Sequence, residues 1–202
     1  RIKERDFDTF YHFAWAGSAG KDRADVSLQL RNAQWTADCL ILAKSLGCSR
    51  FVNAGSIMEL ETMRAVFCGG NKPGSGYIYG AGKLAAHTIC KPVAVSEGID
   101  LIWAMITNAY GAGERSPRLV NSTIRKCIQG ESLQFTAATQ NYDFVYIDDV
   151  VKAFRLIGEH GKAFHEYLIG SSQARPLKQF LLEMKEAVAP DRSFHFGEVP
   201  FT

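Results

Sequence analysis

Three short apolar runs, each followed by a stretch with helical spacing, set the rhythm of the first half of the chain. Residues 7 to 14, "FDTFYHFA", are aromatic and apolar and end in "WAGSAG", as a buried strand entering a loop does. "ADVSLQLRNAQWTADCLILAKSLG" then carries apolar residues at helical intervals, with Gly47 placed to stop the helix. "SRFVNAGS", residues 49 to 56, repeats the strand signal, and the glycine-rich "FCGGNKPGSGY" predicts a loop before a helix that opens at Tyr79 and runs toward Gly98. Pro92 inside that helix removes a backbone donor and predicts a kink. "IDLIWAMIT" reads as a third buried strand and "NAYGAGERSP" as the loop after it.

Strands and helices alternating at this spacing imply parallel βαβ units, whose right-handed crossovers cover both faces of the sheet. The expected fold class is α/β, a doubly wound parallel sheet. Ligands of such sheets collect at the carboxyl ends of the strands, so "WAGSAG", "GSIMEL" and "NAYGAG" are expected as exit loops along one edge. Beyond residue 117 the pattern becomes a helix "PRLVNSTIRKCIQG", short strands "LQF" and "DFVYI", a helix from Asp149, the strand "EYLIG" and a helix from Pro176. This predicts a division into residues 1–116 and a small C-terminal α/β lobe, 117–202, interleaved with the end of the sheet.

Composition narrows the classes. The 202 residues are 47% hydrophobic and 22% charged, which suits one substantial core with a small appendage and excludes extensive disorder. A net charge of +2 with scattered Lys and Arg gives no footprint for nucleic acid or an anionic membrane. Five cysteines, Cys39, Cys48, Cys68, Cys90 and Cys127, form no C-x-x-C pair, which suits a reducing compartment and argues against a disulfide framework or a zinc site. No apolar run spans a bilayer and "RIKERDFDTF" lacks a secretory segment, so the cytoplasm is the expected location.

The candidate chemistry begins with Tyr79 and Lys83, four positions apart on a helix. A phenol is a poor base at neutral pH, and an ammonium one turn away favours its phenolate. The same spacing also occurs by chance on solvated helix faces. Ser56 lies directly after the strand "SRFVNAG", 23 residues before the tyrosine, where a parallel sheet brings a strand end near the first turn of the next helix. Taken alone, Ser56 also reads as a turn residue.

Together "HFAWAG", "FVNAGSIMEL", "YGAGK" and "NAYGAGE" followed by "YDFVYIDDV" resemble the extended short-chain dehydrogenase/reductase family, the NAD(P)-dependent epimerases and dehydratases of nucleotide sugars. The resemblance is strongest to sugar epimerases and reductases of the CDP-abequose or CDP-paratose synthase kind. It implies that residues 1–116 are the C-terminal part of an NAD(P)-binding Rossmann domain and 117–202 mainly a substrate lobe. It implies Tyr79 as acid-base, Lys83 as the holder of the nicotinamide ribose, and Ser56 as donor to the reacting sugar oxygen. Phe13, Ala14 and Trp15 would line the cofactor, NAD or NADP, with core packing an equal reading of the two aromatics. Asn32 would sit where relatives place an asparagine, or on a helix surface. Ile106 and Thr107 would border the nicotinamide. Met58 and Asn108 would face the substrate, Asn108 reaching the nucleotide diphosphate, and a homodimer follows by analogy.

The pattern also departs from the family. The glycine-rich phosphate turn is not found, and "GSAG" at 17 to 20 lacks its spacing, so the sequence is expected to be a fragment of a longer enzyme, poorly active by itself. Met105 and Tyr142 stand where many relatives carry arginines, which weakens the carry-over of diphosphate binding; Arg115, Arg118 and Lys126 are candidate substitutes or plain surface charges. Ile57 and Met58 replace the Asp-Glu pair of the dehydratases, and Glu59 comes one position late, which argues against elimination. Asp148 and Asp149 have the look of a metal pair, but at the start of a predicted helix one of them reads more simply as an N-cap. The expected function is an epimerase or reductase of a nucleotide-linked sugar. A non-catalytic nucleotide sensor or scaffold of the same fold is the competing class.

Overall fold

The apolar runs become the strands of a parallel sheet in the computed structural model, which describes residues 6–200. The opening "RIKER" and the last two residues of "FGEVPFT" lie outside them. In chain order the elements are β1 (Thr9–His12), α1 (Val26–Ser45), β2 (Arg50–Ser56), α2 (Met58–Val66), α3 (Tyr77–Glu97), β3 (Asp100–Ile106), β4 (Asn108–Tyr110) and α4 (Leu119–Gln129). There follow β5 (Gln134–Phe135), β6 (Asn141–Tyr142), β7 (Phe144–Tyr146), α5 (Ile147–His160), β8 (Glu166–Ile169), β9 (Arg175–Pro176), α6 (Leu177–Val188) and β10 (His195–Phe196).

Contacts divide the chain into two units, one running up to Ile106 and resuming at Asp149–Ile169, the other comprising Thr107–Asp148 and the chain from Gly170. The first holds the sheet β1-β2-β3-β8, parallel throughout, so every strand ends at the same edge. Side chains alternate across it. Phe10, Phe51, Leu101, Trp103 and Met105 face α1 and α3, where Ala33, Ala37, Leu40 and Ala43 meet Ala86, Cys90 and Ala94. Tyr11 and Ile102, on the alternate positions, reach α5 and its end at Gly158 and Gly161.

Local signals fix the helix ends. Asp25 caps α1 by accepting Leu28 N at 3.0 Å, and Gly98 ends α3 in the left-handed region at φ 62°. The helix α3 runs unbroken through Pro92 and opens at Tyr77, two residues before the expected start. Two expected loops are regular structure: "GSIMEL" enters α2 at once, and "NAYGAG" contains β4. The first follows from an exchange of hydrogen bonds at the helix start, described below, and the second from parallel pairing of β4 with β7. The Asp148 and Asp149 side chains fall in the first turn of α5, and Asp149 pairs with Lys152 at 3.3 Å.

The second unit has its own core of Cys127, Leu133, Phe135, Ala138, Leu177 and Leu181, closed by α4 and α6. Its short strands pair β4-β7, β5-β10 and β6-β9. Among the described residues no helix is long and apolar enough to cross a membrane.

Candidate active site

The carboxyl edge of the sheet in the first unit gathers an unusual set of buried polar groups. Ser56 is the last residue of β2, paired in register with Ile106 of β3. Its Oγ accepts Met58 N at 3.2 Å, and Glu59 Oε1 accepts Ser56 N at 2.8 Å, the reciprocal arrangement of a capping box. With its oxygen engaged by an N–H, the Ser56 hydroxyl proton is left to donate elsewhere. Met58 is half-buried.

Glu59 is 1% exposed, and its carboxylate takes more than the Ser56 amide. Trp103 Nε1 donates to it at 3.0 Å, and His87 Nδ1 lies 2.9 Å from Oε2. The His87 ring stacks on Trp103 with centroids 4.3 Å apart. A buried carboxylate needs such company, because an uncompensated one is costly. Gly55 leaves the space, since a Cβ there would press on Glu59 Oε1 at 2.7 Å. Glu59 therefore turns into the core and does not stand in the cleft.

Lys83 projects from α3 back to the same strand, where its Nζ donates to Ala54 O at 2.8 Å, two residues before Ser56. It is 5% exposed and lies 4.0 Å from the centre of the Trp15 ring. Burial brings its pKa down to about 8, against the opposing charge of Glu59. Tyr79, one turn earlier, is 8% exposed, with Trp15 edge-on at 6.1 Å and the Arg23 guanidinium 4.4 Å over its ring.

Trp15 is fixed by Nε1 donating to Gln29 Oε1 at 2.8 Å and packs partly against the core. Asn32 is buried: its amide donates to Ala16 O and accepts Ala16 N, at 2.8 and 2.9 Å, so it shapes the loop after β1. Phe13 is exposed, resting on Phe154 at 4.7 Å, and Ala14 is exposed beside it. Ile106, half-buried, accepts Ile57 N at 3.0 Å.

Beneath the edge, His12 Nδ1 meets Asn53 Oδ1 at 2.8 Å, and burial lowers the His12 pKa, keeping the imidazole neutral. Sequence reasoning singled out neither residue, nor Arg23, His87 or Trp103. For Glu59 the signal was present, as S-x-x-E at 56 to 59.

Thr107 and Asn108 belong to the second unit. Thr107 Oγ1 is buried with no hydrogen-bond partner among the described residues. Asn108 N and Nδ2 both donate to Asp143 O, at 3.1 and 3.2 Å. Tyr142 pairs in register with Arg175, whose guanidinium is held by Glu183 and lies 4.1 Å over Phe180. Among the described residues no three His, Cys, Asp or Glu gather as a metal site.

The model of the NAD dependent epimerase/dehydratase family matches residues 1–170. The chain belongs to that family. CDP-abequose synthase of Salmonella typhimurium is 28% identical over 107 residues, covering 50% of this chain and 36% of the relative. The chain spans about a third of the length of the curated relatives it matches first. UDP-N-acetylglucosamine 4-epimerase from Bacillus cereus superimposes with a TM-score of 0.78 at 19% identity, over 95% of this chain and 66% of that one. RMD from Pseudomonas aeruginosa, solved with NADPH, gives 0.75 at 20% identity over 94% and 68%. These neighbours place the fold of this family member among Rossmann-like epimerases and reductases.

Proposed function

We propose that the chain carries the catalytic half of an NAD(P)-dependent epimerase or reductase of a nucleotide-linked sugar, with Tyr79 as acid-base, Lys83 as its partner and Ser56 as donor to the sugar oxygen. One observation carries this reading: Lys83 Nζ on α3 is bonded to Ala54 O, which anchors the tyrosine-bearing helix at the strand end where Ser56 lies. The family description makes NAD the parent cofactor, and NAD or NADP would supply and recover the hydride.

The residues present fit the nicotinamide end of such a group. Lys83 Nζ, an ammonium with N–H groups to spare beyond the one given to Ala54 O, and the Tyr79 hydroxyl are donors suited to ribose hydroxyls. Ser56, its oxygen already accepting from Met58 N, donates to a carbonyl or hydroxyl oxygen of the sugar. Tyr79 moves the proton of that oxygen, and Ile57 and Met58 in place of an acidic pair favour epimerisation or reduction over loss of water. Trp15 shields the lysine and tyrosine from solvent.

Exposed Leu30, Ile41 and Leu42 of α1 with Ile89 and Val95 of α3 support a homodimer through these helices, which sedimentation checks. The five free cysteines support a reducing, cytoplasmic setting.

The test is turnover of nucleotide sugars followed by cofactor absorbance. Tyr79→Phe is expected to lower kcat by about 10²–10⁴-fold with the fold intact. Undiminished hydride transfer in that variant overturns the reading. Cofactor binding by the parent chain with no turnover on any sugar nucleotide favours the sensor instead.

A further inference from the structure

Arg23 stands on a short turn between β1 and α1, at residues Lys21–Ala24, where no motif drew attention to it. Its guanidinium lies 4.4 Å over the Tyr79 ring, and it reaches toward carbonyls on two sides, Ser18 O at 3.4 Å and Gly76 O at 3.5 Å. Ser18 belongs to the loop after β1, and Gly76 directly precedes α3. The cation is thus suspended between the loop and the helix that presents the tyrosine, with the ring beneath it.

We infer that Arg23 is a positioning residue for Tyr79, a second cation that holds the ring in place and favours its phenolate. The inference rests on the catalytic reading of Tyr79 for its meaning, though not for its measurement.

The physical argument is one of division of labour. An opposite charge within about 4–6 Å stabilises the ionised form of an acid. Lys83 is a limited source of that charge, because burial under Trp15 brings its own pKa down to about 8. As pH rises through that value the ammonium is lost. A guanidinium does not deprotonate in this range, so Arg23 keeps a positive charge over the ring when Lys83 has become neutral. The other charges nearby act on the two cations: Glu61 of α2 faces Arg23, while Glu59 of α2 and His12 of β1 interact with Lys83. Glu61 is exposed to solvent, so water and salt screen the charge it sets against Arg23.

The bland alternative is that Arg23 only ties the loop to α3. The two roles separate in an optical titration. Phenolate absorbance in the near ultraviolet is followed against pH for the parent chain, Arg23→Gln, Arg23→Met and Arg23→Lys, each with a Tyr79→Phe counterpart whose curve is subtracted to leave Tyr79 alone. Both neutral variants are expected to move the Tyr79 titration to higher pH, on the order of half a unit to one unit, with Arg23→Lys between them and the parent. An unchanged Tyr79 titration in Arg23→Gln and Arg23→Met, with parent-like circular dichroism, overturns the inference.

Turnover supplies the independent check. In Arg23→Gln the basic limb of the kcat profile is expected to shift in the same direction as the absorbance curve, whereas a tether alone would lower the rate uniformly with pH. If Tyr79→Phe retains full hydride transfer, the catalytic reading fails while the titration still decides whether Arg23 acts on the phenol.

Discussion

Lys83 shows how much the character of one residue depends on what surrounds it. In the sequence it is an ordinary helix lysine; in the structure its ammonium has one carbonyl, one aromatic face and almost no water. Its pKa falls from 10.5 to about 8, chiefly by burial. A base whose folded pKa is depressed leaves the unfolded chain holding more protons between the two values, so stability rises with pH across that window, and below it the cost of the buried charge is present in full. From about pH 8 to 10.5 the parent is expected to gain roughly 3 kcal/mol relative to Lys83→Met, read by urea unfolding of both chains. Equal slopes would show that the ammonium is solvated. Glu59 makes the complementary case. Leucine there leaves the Ser56, Trp103 and His87 donors facing a carbon chain, and unfolding is expected to cost about 3–5 kcal/mol less. Glutamine, which still accepts through its amide oxygen, is expected to recover most of that loss in the same denaturation experiment.

At the level of elements, the packing of α1 on α3 depends on small side chains recurring every four residues, Gly82, Ala86, Cys90 and Ala94, which let the two helices approach closely. A Cβ on Gly82 would lie 2.9 Å from Gln29 Cβ and 3.1 Å from Gln29 O, so Gly82→Ala is expected to destabilise by about 1–3 kcal/mol. Gly69→Ala, with nothing within 4 Å, serves as the control and should stay within about 0.5 kcal/mol of the parent in thermal and urea unfolding. This face was legible beforehand, because apolar periodicity and a glycine stop announce a long helix, just as short apolar runs announce buried strands. The nine-residue α2 was not, since only Glu59 and Thr62 of it are buried and glycines follow. Its start was written nonetheless in Ser56 and Glu59. The partners that bury Glu59 were beyond local reading, as His87 and Trp103 lie 28 and 44 positions away. Ser56, Tyr79 and Lys83 could be named from order and spacing; Arg23 over the tyrosine could not, because a cation near a ring leaves no trace in either.

The whole molecule adds a constraint that no single element contains. The expected boundary near residue 116 separates β3 from two pieces that complete its own unit, since α5 from Asp149 and β8 return to the sheet after an excursion through the second unit. The strand β3 pairs with β8 from Trp103 to Ile106, Trp103 N donates to His165 O at 3.2 Å, and Phe164 N donates to Leu101 O at 2.6 Å. A chain ending at residue 116 therefore leaves these groups and the Ile102 face of the sheet without cover, although its own sequence carries Ser56, Tyr79 and Lys83 intact. We expect amide exchange in β3 of the shortened chain to be at least tenfold faster than in the full chain, while the middle of α1, packed on α3, keeps its protection. Equal protection of β3 in both would show that the first unit closes without its returning segment. The proposed trio of Ser56, Tyr79 and Lys83 would then need only the first half of the chain, and the interleaving would serve the second unit instead.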